Sequence, residues 1–431
     1  MNFDDFKLHP TLLANVVRLG YRIPTPIQRD AIPPVMDGSD VVGLAQTGTG
    51  KTAAFALPVL HRLLSNPAKA GVVRALVVAP TRELAEQIYE AFGQLGKNTK
   101  FRSCTVYGGV NIKPQIQKLR DGVEIVISCP GRLLDHVEQG TIDLSHVEVL
   151  ILDEADRMFD MGFLPSIRRI LKIVPQSRQT LLFSATMPDD VRRLSADALK
   201  KPVTVQIDFA KAADTVSQAL YPIEHHLKTD LLLEILKTTN TDSVIVFTAA
   251  KHRAKRLGEK LIKAGYRATS LQGNLSQNRR QEALDGFRSG EYQIMVATDV
   301  ASRGIDVATI SHVINYDMPD TVDAYTHRIG RTGRAARLGD AITFVTDEDY
   351  PMVKAIEKAI GTDVDRRYIA GFDYKAPKPD RDIEFARAPR EQQRRPSANS
   401  HSQSRPSAAA PRGRNPRPDQ PRRPGPSRGR P

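Results

Sequence analysis

Cysteine is scarce: Cys104 and Cys129 are the only two in 431 residues. Two thiols are too few for a disulfide framework or a zinc cluster, and both fall in apolar, strand-like segments that suit a small buried hydrophobe. That usage points to a reducing compartment. Long apolar runs are missing as well. No stretch approaches the roughly 18 residues of a membrane-crossing helix, so none is expected. The first residues carry Asp4 and Asp5 rather than a basic segment followed by an apolar one, so no secretory leader is expected and the expected location is cytoplasmic.

Excess positive charge is lacking too, except at one end. The formal net charge is +13, but from Lys375 onward there are 15 Lys and Arg against 5 Asp and Glu, leaving 47 against 44 in the first 374 residues. The same end holds 12 of the 29 prolines. Such a segment cannot build a regular core, and residues 366–431 are expected to form a disordered tail. Its Arg, Pro, Gly and Ser suit a sequence-independent grip on phosphate backbones; a merely solubilising tail would have the same composition.

The rest is ordinary globular sequence, long enough for two or three domains. It is organised around Val149-Leu150-Ile151-Leu152-Asp153-Glu154-Ala155-Asp156. The apolar run reads as a buried parallel strand and ends in carboxylates. Ligands of open α/β sheets bind at the carboxyl ends of strands, so Asp153 and Glu154 are placed to hold a cation and orient a water. Alone, the motif would equally describe a solvated acidic turn. Upstream, however, Val41 to Leu44 runs into Ala45-Gln46-Thr47-Gly48-Thr49-Gly50-Lys51-Thr52 and then a helical segment. This is a phosphate loop in its strand–loop–helix context: backbone N–H groups cradle the phosphates, Lys51 reaches the β and γ groups, and the Thr52 hydroxyl ligates Mg²⁺. Ala45 stands where the first glycine is usual. Together the two motifs read as a Mg–ATP site.

Residues 1–39 form a preamble, with a helix from Pro10 to Leu19 stopped by Gly20. Gln28 follows; a glutamine can contact the N6 and N7 edge of adenine, though a lone one is more often surface. From residue 40 strands and helices alternate to 207, which is the doubly wound α/β signature. Residues 208–218 lack periodicity and read as an interdomain linker. The alternation restarts over 219–365 without a second phosphate loop, but with arginines in Tyr325 to Arg334. Arg328, Arg331 and Arg334, three residues apart, would share one helix face. They are either solvated charge or arginine fingers that stabilise a transferring phosphoryl group.

These motifs together resemble the DEAD-box RNA helicases, over roughly residues 1–365, and within them the chain looks most like the bacterial RhlE type, with a minimal N-terminus, two helicase domains and a short basic tail. The resemblance implies two tandem RecA-like domains. It also implies that Phe3 stacks near adenine, that Gln28 reads its edge, that Asp153 with Thr52 holds Mg²⁺, and that Glu154 positions the attacking water. Asp306 would contact the ribose, and Arg331 and Arg334 would be the fingers. Ser184 and Thr186, with Asp156 and His327, would couple hydrolysis to strand separation. RNA would lie on Pro80, Thr81, Arg82, Gly109, Gly131, Arg132, Thr248, Gln272, Thr298, Arg303 and Gly304. One departure is Cys129, where the family usually has threonine. The implied function is ATP-driven, local unwinding of short RNA duplexes or remodelling of ribonucleoprotein, in ribosome assembly or RNA decay. A slow-turnover ATP-gated RNA clamp would carry the same motifs, and a DNA-directed motor is a further alternative.

Overall fold

Strands apolar along their whole length must be covered on both faces, and the computed structural model has that architecture. It describes residues 1–46, 48–66, 70–207, 216–239, 241–302, 310–332 and 339–378, all within one unit, Met1–Glu384. The first sheet contains β1 (Val41–Leu44), β2 (Ala75–Val78), β3 (Ser103–Val106), β4 (Ile125–Ser128), β5 (Val149–Leu152), β6 (Gln179–Ser184) and β7 (Val203–Gln206). The second contains β8 (Val216–Pro222), β9 (Val244–Phe247), β10 (Ala268–Leu271), β11 (Ile294–Ala297), β12 (His312–Asn315), β13 (Gly339–Val345) and β14 (Asp365–Arg366). All neighbours pair in parallel, in the orders β3-β4-β2-β5-β6-β1-β7 and β10-β11-β9-β12-β13-β8-β14. Position by position the two orders are identical, so the second sheet repeats the topology of the first.

The period of two along each strand sorts the core. Val149 and Ile151 of β5 join Val77, Ile127 and Phe183 on one face, while Leu150 and Leu152 join Leu76, Val126 and Leu182 on the other. Helices Lys51–Ser65 and Arg82–Leu95 cover the first face, and Pro130–Glu138, Leu164–Ile173 and Asp189–Ala198 the second. The preamble packs on the first face through Leu8, Leu12, Val16, Ile27 and Ile32. Asn15 Nδ2 fastens it by donating to Leu95 O (2.9 Å) and Lys97 O (2.7 Å).

Two expected boundaries move. Residues 216–218, assigned by sequence to the linker, open β8, whose pairing with β13 outweighs their weak periodicity; residues 208–215 lie outside the described residues. Residues 366–378, assigned to the tail, are folded. Arg366 completes β14, Ile369, Phe372, Tyr374 and Ala376 pack on the second core, and His226 Nε2 donates to Ala376 O at 2.9 Å. Proline and charge in the neighbouring sequence mask that short apolar series. The remainder of the expected tail, 379–431, lies outside the described residues.

Candidate active site at the sheet edges

Because the strands of each sheet are parallel, all their C-terminal ends open on one edge. On the first sheet β5, β6 and β1 are neighbours, which brings the acidic motif, Ser184-Ala185-Thr186 and the phosphate loop side by side. In the loop, Thr49 Oγ1 donates to Gln46 O and Lys51 Nζ to Ala45 O, both at 2.7 Å. Gly50 has φ 95, and a side chain there would overlap the Gln28 amide, so both backbone and packing require glycine. Gln46, Gly48 and Thr52 are partly or fully exposed at the loop, while Thr47 lies outside the described residues.

Gln28 ties the preamble to that loop. Its Oε1 accepts from Thr25 N (3.0 Å) and its Nε2 donates to Gly50 O (3.1 Å). A glutamine amide keeps one N–H and one lone pair after those two bonds, enough for an adenine edge. Phe3 does not have the open face expected of it. Its ring is 4% exposed, edge-on to Phe6 and tilted against Tyr21 at 6.1 Å. The exposed member of the pair is Tyr21, at 40%. Sequence reading passed over it, although an aromatic directly after the helix-stopping Gly20 was a usable signal.

In the acidic motif Asp153 is 2% exposed, with Oδ1 accepting from Glu154 N at 3.0 Å. Burial pushes its carboxyl up to about 7, against the pull of Lys51 and with the help of the neighbouring acids. A buried carboxylate and the Thr52 hydroxyl form an all-oxygen donor set that suits a hard divalent cation, and among the described residues no group of three or more His, Cys, Asp or Glu offers another. Burial also opposes ionisation of Glu154, but Arg157, Lys51 and Arg331 outweigh it and hold that carboxyl below its usual range. Asp156 is taken far below its usual range, with His327 the strongest opponent of burial. Its Oδ2 accepts from Ala185 N (3.1 Å), Thr186 N (2.9 Å) and Thr186 Oγ1 (3.1 Å), while Ser184 Oγ accepts from Asp156 N at 3.2 Å.

The second sheet delivers its residues onto this edge. His327 Nε2 faces Asp156 Oδ2 at 3.6 Å. Gly330 comes so near Gln46 that an added Cβ would touch its amide at 3.4 Å. Arg331 is 3% exposed and close enough for its charge to act on Glu154. The shared helix face expected for Arg328, Arg331 and Arg334 is not found, because helix Val322–Ile329 ends at Gly330 and Arg331 sits in the turn beyond. Arg328 is instead a structural residue, paired with both oxygens of Asp299 (2.7 and 2.6 Å) and donating to Asp317 O. Arg334 and Asp306 lie outside the described residues.

The other half of the first edge, β3-β4-β2, carries the residues expected to touch RNA. Thr81 caps helix Arg82–Leu95 by accepting from Leu84 N at 3.3 Å. Gly109 (φ 77) lies directly under the Arg82 guanidinium; any other residue there would be strained in the backbone and would displace that guanidinium. Gly109 and Gly131 are exposed, Arg82 and Arg132 half-buried, Pro80 and Thr81 buried. On the second edge Gln272 and Thr298 are buried, at 6% and 7% exposure. Thr248 is wholly buried, which removes it as a contact; the exposed neighbour is Ala249. Arg303 and Gly304 lie outside the described residues. Two bridges that sequence reading missed cross between the domains here: Arg280 donates to Glu83 Oε1 at 2.9 and 2.7 Å, and Arg82 Nη1 to Gln277 Oε1 at 2.9 Å.

Cys129 caps helix Pro130–Glu138 without a side-chain bond, and its thiol, pushed up to about 12 by burial, packs in the core rather than at the surface. Cys129→Thr is therefore expected to add a capping bond worth about 1 kcal/mol. A thermal melt should rise while RNA affinity stays unchanged; an unchanged or lowered melting temperature would contradict the capping role.

A phosphate loop on one sheet, faced by His327 and Arg331 of an equivalent second sheet, is the arrangement of a two-domain nucleoside triphosphatase. Residues 25–194 match the DEAD/DEAH box helicase family and residues 227–336 the helicase conserved C-terminal domain. The chain is 43% identical over 360 residues to the ATP-dependent RNA helicase CshA of Limosilactobacillus reuteri, covering 83% of this chain and 72% of that one. It is 45% identical over 359 residues to the ATP-dependent RNA helicase DeaD of Mycobacterium tuberculosis, covering 83% of this chain and 63% of the relative. Saccharomyces cerevisiae Dbp5 bound to RNA and ADP BeF3 superposes with a TM-score of 0.78 at 32% identity, over 85% of this chain and 95% of that one. The chain belongs to the DEAD-box family and is an ATP-dependent RNA helicase.

Proposed function

We propose that the chain couples ATP hydrolysis to local, non-processive separation of short RNA duplexes or to remodelling of ribonucleoprotein. The observation that carries this reading is the convergence on Asp156, whose one carboxylate joins Ser184-Ala185-Thr186 of the first domain and faces His327 of the second. In this reading adenine stacks on Tyr21 and meets Gln28, and the loop Ala45 to Thr52 cradles the phosphates. Asp153 and Thr52 hold Mg²⁺, which when bound offsets phosphate charge. Glu154 accepts a hydrogen bond from the attacking water; as the water oxygen bonds the γ-phosphorus, the bond from that phosphorus to the β–γ bridging oxygen breaks, the water proton passes through Glu154 to the phosphate, and ADP and phosphate leave. Arg331 meets the charge on the transferring group. RNA lies along Arg82, Gly109, Gly131 and Arg132, and the basic C-terminal segment adds sequence-independent affinity. The motif set and that basic segment fit the RhlE type, acting in the cytoplasm in ribosome assembly or RNA decay.

ATP and RNA each favour the closed arrangement, so their binding is cooperative. The Arg280–Glu83 pair, 14% and 6% exposed, exists only when the domains meet. Arg280→Ala is expected to weaken that cooperativity about tenfold, roughly 1.4 kcal/mol. ATP affinity measured without RNA should not change; an equal loss with and without RNA would contradict the bridging role. The reading as a whole is tested by unwinding duplexes of increasing length with ATP. Rates that fall steeply with length support local separation. Rates independent of length would overturn it, and tight RNA retention with almost no turnover would favour a clamp.

A further inference from the structure

Arg157 lies one turn beyond Glu154 on helix Ala155–Asp160. Its Nη1 stands 3.3 Å from Glu154 Oε2, with side chains 3% and 4% exposed. The carboxylate it faces is unusually constrained, because Glu154 has φ 51 and ψ 53, a left-handed conformation that a non-glycine residue keeps only when its surroundings enforce it. Glu154 N donates to Asp153 Oδ1 and so fixes the backbone; the side chain needs its own anchor. Lys51 is shared rather than dedicated: its Nζ donates to Ala45 O, and its charge acts on Asp153 and Asp156 as well as on Glu154. Arg331 belongs to the other domain and reaches Glu154 only when the two meet. Within the first domain, Arg157 is the cation committed to this carboxylate.

The geometry of the pair suits the chemistry. Neither Glu154 Oε2 nor Arg157 Nη1 makes an aligned hydrogen bond, so charge holds the two together. A carboxylate that must accept a hydrogen bond from water cannot have its lone pairs saturated, and a guanidinium facing it at this distance fixes its aim without consuming an acceptor direction. Arg157 also lines an interdomain cavity of about 380 Å³ with Asp160, His327 and Arg331. It therefore stands where the first domain's carboxylate meets Arg331 of the second domain.

We propose that Arg157 is the positioning residue for Glu154, setting the direction of its carboxylate before the second domain arrives. The inference rests on reading Glu154 as the residue that orients the attacking water. The test uses the full chain with ATP and single-stranded RNA, comparing Arg157→Gln and Arg157→Lys with the native protein and with each change combined with Glu154→Gln. Misaimed by about an ångström, the carboxylate should cost about 10²-fold in kcat for Arg157→Gln. KM for ATP and the RNA concentration for half-stimulation should stay within about twofold, since neither ligand touches Arg157 in this account. Arg157→Lys, keeping a point charge without the planar fork, should recover part of the rate. In the Glu154→Gln background neither substitution should lower the residual rate further. If Arg157→Gln does not fold, the Lys variant decides, with reduced kcat, unchanged KM and a native melting curve supporting the proposal. A native kcat in either folded variant, a parallel loss of kcat and KM, or a full further loss in the Glu154→Gln background overturns it. A Glu154→Gln variant that itself hydrolyses ATP normally would instead overturn the reading of Glu154.

Discussion

Glu154→Gln is expected to lower RNA-stimulated ATP hydrolysis by about 10³-fold while leaving RNA bound in the presence of ATP. The substitution keeps the shape of a side chain that is 3% exposed and removes the charge that Arg157, Lys51 and Arg331 together hold ionised. A glutamine in that position still occupies the space beside the γ-phosphate but no longer attracts the proton of water. Glu154→Gln removes one interdomain attraction, that of Arg331 for residue 154, but leaves His327 facing Asp156 and the Arg280–Glu83 and Arg82–Gln277 bridges, so the closed complex should persist. The variant would hold RNA without releasing it, measured as hydrolysis rate against retention in a binding assay. A rate within tenfold of the native protein would remove Glu154 from the chemistry.

Asp153→Asn is expected to change activity and stability in opposite directions. Hydrolysis should fall by about 10³-fold or more, because on the proposed assignment the loss removes a charged oxygen ligand of Mg²⁺ from a site that works by electrostatics. The nucleotide-free protein should become more stable. Burial raises the Asp153 carboxyl to about 7, above its value in an unfolded chain, so the folded state is penalised whenever the group is ionised. That penalty is complete above pH 7 and shrinks as pH falls toward 4. Asparagine avoids it, and the value of about 7 already includes the attraction to Lys51, so the gain is roughly 2–4 kcal/mol, or about 5–10 °C in Tm at pH 8. Thermal melts of both proteins at pH 8 and pH 5 should show the difference narrowing. Mg²⁺ added to the native protein should move Tm the same way. A destabilised Asn variant at pH 8 would contradict this account of the buried carboxylate.

What the sequence shows plainly is what local pattern dictates. Val149 to Leu152 has no polar residue, which requires a strand covered on both faces, and all four residues are buried. The phosphate loop and acidic motif are similarly legible, because glycine, lysine and carboxylate at those spacings have few other uses. Contacts that close over long separations were hidden. Arg328 looks like a candidate finger until Asp299, 29 residues earlier, is seen to take its Nε and Nη2 while Asn315 and Asp317 take its Nη1. Phe3 and Tyr21 are both aromatics near the preamble helix, and only packing decides which ring keeps an open face. The same is true of Arg280 with Glu83, 197 residues apart. The linker boundary failed for a related reason, since Val216 to Gln218 become a strand through their partners on β13 rather than through their own composition.

The account's central claim is that one catalytic site is completed by two domains that RNA helps to bring together. It is tested most directly by the rate of ATP hydrolysis of the native chain with and without single-stranded RNA, at saturating ATP. The account predicts a slow basal rate that RNA raises many-fold, because RNA adds to the contacts that hold His327 and Arg331 against Asp156 and Glu154. A rate that is the same with and without RNA, whether fast or slow, would contradict it.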